Sequence, residues 1–153
     1  MGTSKRNMTE RGLLARSLAL GLASGMRSSL GFAAPGLGSR RSEGLTAGSA
    51  VRLLGIGGEL VVDKLPQTPS RLSPPGLAAR FASGAAGALQ LATRTPCSTK
   101  TRVTAVVIGV AGAAGGSYGG AAWRRTSAGG RPDWQGAVAE DAVAVSLAFA
   151  ASR

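Results

Sequence analysis

From Val103 to Trp123 the chain reads VTAVVIGVAGAAGGSYGGAAW, 21 residues without a charge, and no other stretch limits its folds so strongly. A helix rises about 1.5 Å per residue, so this run can cross a hydrocarbon core of roughly 30 Å. Trp123 is followed by Arg124 and Arg125, an aromatic and a cationic anchor at one end.

The rest of the composition points the same way. A water-soluble core of this size takes most of its buried area from large side chains. Here hydrophobic residues make up 44% of the chain but aromatic ones only 4%, and 24 positions are Gly. The apolar material is mainly Ala, Gly and Val. Charged residues are 16%, against about 25% in an ordinary soluble domain. Small residues let helices approach closely, which is how they associate where lipid removes the hydrophobic drive.

Polar and proline-rich breaks divide the chain. Residues 1–12 form a basic polar N-terminal tail with Lys5, Arg6 and Arg11. Residues 13–151 read as one membrane domain of four to five helices, near 13–34, 45–65, 76–92, 103–123 and 134–151. Between the second and third, four prolines fall within Pro66 to Pro75, which makes a loop. The expected fold is all-α, a small multi-pass transmembrane bundle with glycine- and alanine-rich packing. Basic residues in the tail favour a cytoplasmic N-terminus in a cell membrane. The first forty residues, Arg- and Ser-rich with Glu10 as their only acid, also have the look of a transit peptide; they are read as a retained first helix.

Two features inside the apolar segments invite a role. Small residues recur at steps of four: Ser17, Gly21, Gly25 and Ser29 in the first segment, Ala79, Ser83 and Gly87 in the third, and Gly112, Gly116 and Gly120 in the fourth. That spacing cuts a groove in which another helix can lie, and it also offers a face for a homo-oligomer. Charges are the second feature. Arg27 interrupts the first segment, Glu59 and Asp63 lie on one side of the second, and Glu140 and Asp141 are adjacent in the last. A charge at hydrocarbon depth costs at least about 2.5 kcal/mol, so it should turn inward and find a partner. The expectation is a polar cluster in which Arg27 meets Glu59, Asp63 or one of the final pair. Such a cluster locks helix register, or forms the path of a small transporter or channel. A structural or accessory role is the first reading and transport the alternative.

GLASGMRSSLGFAAPGL, GELVVDKLPQTPSR and AVAEDAVAVSLA resemble the uncharacterised integral membrane proteins of the family catalogued as domain of unknown function 4126, in its actinobacterial form. The resemblance runs from about Leu13 to Ala150 and is most specific at Glu59 to Pro66 and Glu140 to Ala144. It implies a multi-pass membrane location and no established activity. Arg27 and the matching acids would be signature positions without a known role. The loop from Thr93 to Arg102 departs from it in being more polar.

Other classes fit less well. Without His, a zinc site or a Ser-His-Asp triad lacks its usual residue, and Cys97 alone makes no intrachain disulfide. No catalytic residue, metal ligand or cofactor is expected, and the chain is not read as an enzyme. VVIGVAGAAGG could be a dinucleotide loop through Gly109, Gly112 and Gly115 only if a strand preceded it. The acid at the right distance, Asp133, follows Gly-Gly-Arg-Pro and ends no strand. The net charge of +11 is dispersed around apolar segments rather than gathered with aromatics, so lipid and not nucleic acid is the expected partner.

Overall fold

The computed structural model describes residues 2–27, 30, 72–127 and 133–152, and every regular element among them is an α-helix. They are α1 (Gly2–Met26), α2 (Pro74–Arg94), α3 (Thr99–Ser127) and α4 (Asp133–Ser152). The helix expected over 45–65 lies outside the described residues.

Each boundary has a local cause. Ser73 is extended (φ −62°, ψ 146°) and Pro74 and Pro75 occupy the first helical turn, where a missing N–H costs nothing. α2 stops at Thr95, also extended, just before Pro96. Ser98 then starts α3. Its Oγ accepts from the Thr101 N–H (3.1 Å) and its carbonyl from the Arg102 N–H (2.9 Å). The polar stretch Thr93 to Arg102 is therefore only a tight hairpin, and α3 begins at Thr99, four residues before the uncharged run. α1 likewise begins at Gly2, drawing the expected tail into the helix, since no proline or glycine pair breaks residues 3–11.

α1 is the central element. It packs against α2, α3 and α4, whereas α2 and α4 do not meet. Gly21 lies against Gly109 and Gly112, and Gly25 against Gly116, so α1 and α3 run parallel. α2 and α4 run the other way: Gly84 neighbours Ala113 and Ala88 neighbours Gly109, while Arg16 reaches Ala151 and Arg27 reaches Asp141.

The interior is made of small parts. Among the described residues Leu13, Leu20, Leu30 and Leu91 are its large apolar side chains; its other apolar members are alanines such as Ala23, Ala92, Ala105 and Ala144. Backbone contact fills the space that bulk would otherwise occupy. A Cβ placed at Gly21 would run into the Gly109 carbonyl, and one at Gly116 into that of Leu22. At Gly112 it would come 2.7 Å from the Leu18 oxygen. Two serines tie the helices where they are closest. Ser24 Oγ donates toward the carbonyls of Gly21 (2.9 Å) and Arg80 (3.2 Å), and Ser117 Oγ toward those of Ala113 (2.8 Å) and Gly25 (3.2 Å).

Arg16 closes the far end of α4, its Nε–H donating to the Ala151 carbonyl at 2.7 Å. A cation satisfying a last-turn carbonyl also opposes the helix dipole, an effect of about 0.3–1 kcal/mol. Arg16→Gln is expected to fray that turn without loosening the bundle. Hydrogen exchange should speed up at the amides of 148–152 and stay unchanged in α3.

Candidate functional site: a buried ion pair at one end of the bundle

Arg27 follows the last residue of α1, held by its N–H donating to the Ala23 carbonyl (2.8 Å). Its guanidinium turns inward to α4. Nε donates to Asp141 Oδ1 at 2.7 Å, and Nη2 lies 2.6 Å from the same oxygen. The Arg27 side chain is 7% exposed and that of Asp141 is 30%. Nη1 is buried with no hydrogen-bond partner among the described residues. Two donors thus converge on one carboxylate oxygen, and one buried donor is left over. This differs from the fork-to-fork geometry of the strongest arginine–carboxylate pairs.

Glu140 precedes Asp141 and is 5% exposed. Adjacent helical positions point about 100° apart, so only one of two acids can meet Arg27 directly. Asp141 does so, and Glu140 turns to α3, where a Cβ on Gly120 would stand 2.9 Å from its Oε1. The three regularly spaced glycines of α3 therefore divide their neighbours: Gly112 and Gly116 touch α1, and Gly120 touches a carboxylate of α4. Glu59 and Asp63 lie outside the described residues.

The pair sits near an end of the apolar run. Met26, one residue before Arg27, shares a cleft with Gly119, Gly120 and Trp123. Arg27 is consequently level with the last turns of the stretch that ends at Trp123, not with its middle. The sequence placed it well inside a segment ending near residue 34, but α1 ends at Met26.

Several buried groups escaped the sequence reading. Arg80 is 4% exposed and its carbonyl accepts from Ser24. The buried face of α2 runs through Ser83, Gly84, Gly87, Ala88 and Leu91, and Ala79 is outside it. Gly84 and Gly109 approach each other at the junction of three helices, a Cβ on either standing 2.7 Å from the other's carbonyl oxygen. A period of three between Gly109 and Gly112 was the available signal. No strand precedes these glycines, as a dinucleotide loop would require: they lie inside the unbroken helix from Thr99 to Ser127.

Among the described residues no group of three or more acids or cysteines is arranged to hold a metal. One described helix, over Thr99–Trp123, is long and apolar enough to cross a membrane. No protein-family model, curated protein or solved structure matches the chain.

Proposed function

We propose that the chain is a multi-pass integral membrane protein with a structural or accessory role, of the kind its resemblance to the domain of unknown function 4126 family implies. One observation carries this reading: among the described residues only four large apolar side chains, Leu13, Leu20, Leu30 and Leu91, are buried among small and polar ones, while many large apolar side chains lie outside. Ser17, Ser24, Ser117, Arg27, Arg80 and Glu140 are buried. Val103, Val107, Tyr118 and Trp123 of α3 are each more than half exposed, as are Val138, Val145 and Phe149 of α4. In water that arrangement leaves broad apolar surface uncovered; in lipid the same faces are solvated. The spaced glycines support it too, since backbone contact is the packing available to helices without a hydrophobic drive.

The placement of the ion pair favours scaffold over pathway. A pair level with Trp123 lies at the depth of a membrane interface, where water reaches a carboxylate such as Asp141. The inward faces of Gly21, Gly25, Gly112 and Gly116 are already engaged within one chain, so a homo-oligomer would use other faces. Carbonate extraction tests the premise. The protein is expected to remain with the membrane pellet, and recovery of folded, detergent-free protein from the aqueous fraction would overturn it.

The second reading, a small transporter or channel, draws on the buried Glu140 beside the Arg27–Asp141 pair. An intramembrane acid is a default candidate for a solute or proton path. Glu140→Gln reconstituted in liposomes separates the two: a pathway loses flux with assembly intact, whereas a scaffold has no flux to lose.

A further inference from the structure

The two ends of the bundle differ in charge. α1 and α3 run parallel, with Gly21 against Gly109 and Gly112. Followed back to the start of α3, that register brings Arg11 level with Thr99 to Arg102. Arg11, Lys100 and Arg102 are all exposed there, and their side chains have no hydrogen bond or ion pair among the described residues. α1 continues past this level to Gly2, roughly 13 Å further, and carries Lys5 and Arg6 on that extension. Of the described acids only Glu10 lies at this end, and it is engaged within the protein. Asp133, Glu140 and Asp141 lie at the other end. The cations also stand where the apolar surface begins. Lys100 is three and seven residues before Val103 and Val107, so the three share one outward face of α3. Those valines are 58% and 60% exposed.

We propose that this end of the bundle binds an anionic phospholipid, its phosphate among Arg11, Lys100 and Arg102 and an acyl chain along Val103 and Val107. The inference rests on the membrane reading and adds to it the class of lipid recognised. Charge complementarity selects the occupant. An anionic headgroup is drawn to exposed cations just outside the hydrocarbon, whereas a zwitterionic one brings a cation of its own. Arginine meets a phosphate as a fork and lysine as a point charge, so the mixed set suits that group. The valine stripe below Lys100 favours a lipid over free phosphate or nucleic acid, either of which would leave it uncovered.

Full-length protein in neutral detergent would be titrated with dioleoylphosphatidylglycerol and with dioleoylphosphatidylcholine, and bound lipid counted by native mass spectrometry. The expected result is saturable binding of phosphatidylglycerol, about tenfold or more tighter than of phosphatidylcholine. Arg11→Gln, Lys100→Gln and Arg102→Gln together should bring the two lipids to equal affinity. Their side chains are exposed, so thermal unfolding in detergent alone should not change. Arg125→Gln, exposed at the other end, should leave the preference intact. Equal affinity of the unaltered protein for both lipids, or a preference that survives the triple substitution, would overturn the proposal. So would glycerol phosphate or a short DNA strand binding as tightly as phosphatidylglycerol. If the triple variant fails to assemble, the lipid ratio and these competitors still decide it. Protein that stays with the carbonate-extracted membrane yet takes both lipids alike defeats this proposal and leaves the membrane reading standing. Protein found in the aqueous fraction strikes the reading itself.

Discussion

Gly116→Leu is expected to abolish the folded bundle, and Gly116→Ala to destabilise it although alanine is the better helix former. A Cβ at 116 would collide with the Leu22 carbonyl and approach the Gly25 Cα at 3.1 Å. Both are backbone, so no side-chain rotation relieves the clash; only separating α1 from α3 does. That separation also opens the neighbouring approaches of Gly21 to Gly109 and Gly112 to Leu18. Overpacking usually costs about 1–3 kcal/mol, and a rigid neighbour puts leucine above that range. Alanine would gain about 1 kcal/mol from helix propensity and lose more to the clash. Gly12 and Gly119 supply controls on the same two helices, because a Cβ at either meets nothing. Gly12→Ala and Gly119→Ala should be neutral or stabilising by up to about 1 kcal/mol. Thermal unfolding followed by circular dichroism in one detergent would rank the four. If Gly116→Ala and Gly119→Ala melt together, α1 and α3 are not in backbone contact.

The contrast between these glycines marks how far the sequence could be read. Spacing alone makes Gly112, Gly116 and Gly120 equivalent, and likewise Gly115 and Gly119 one residue earlier. Which stripe turns inward depends on where α1 and α2 lie, and that is set by long-range contact. α1 is wrapped on three sides, so its stripe through Ser17, Gly21 and Ser24 is buried whatever the partner's register. Among the described residues α2 is flanked by α1 and α3, and of its spaced stripe Ser83 and Gly87 are buried while Ala79 is exposed and Arg80 beside it is buried. Helix type was legible because charge-free, small-residue runs and the prolines at 66–75 and 96 leave little else. Helix ends were less so: nothing in GMRSS announces that α1 stops at Met26.

The polar pair was legible for a different reason. Arg27 had to find an acid if it was buried, and the chain holds only 7 acids. Choosing between Glu140 and Asp141 required the rotation of α4, which the alanines and valines around them do not encode. Asp141 faces α1 and Glu140 faces the glycine pair of α3. Two adjacent acids therefore acquire separate surroundings, one beside the Arg27 guanidinium and one against Gly120 of α3.

That division makes the Arg27–Asp141 pair testable on its own. Asp141→Ala leaves a guanidinium that is 7% exposed without its carboxylate at 2.6 Å, and Nη1 has no partner among the described residues to begin with. Removing one member of a fully buried pair costs about 3–5 kcal/mol; with Asp141 30% exposed, about 2–3 kcal/mol is expected. Arg27→Met combined with Asp141→Leu removes both charges and the unsatisfied donor together. The double variant should therefore return to within about 1 kcal/mol of the unaltered protein, a coupling visible in a double-mutant cycle of detergent melts. Additive losses would mean that the two side chains do not form a pair. The same variant also bears on function. A scaffold whose charges only fix register can exchange them for packed apolar groups and recover its abundance in the membrane. A conducting path that runs through the pair cannot, because only Glu140 would remain of the three charged groups, and flux would fall while assembly was restored.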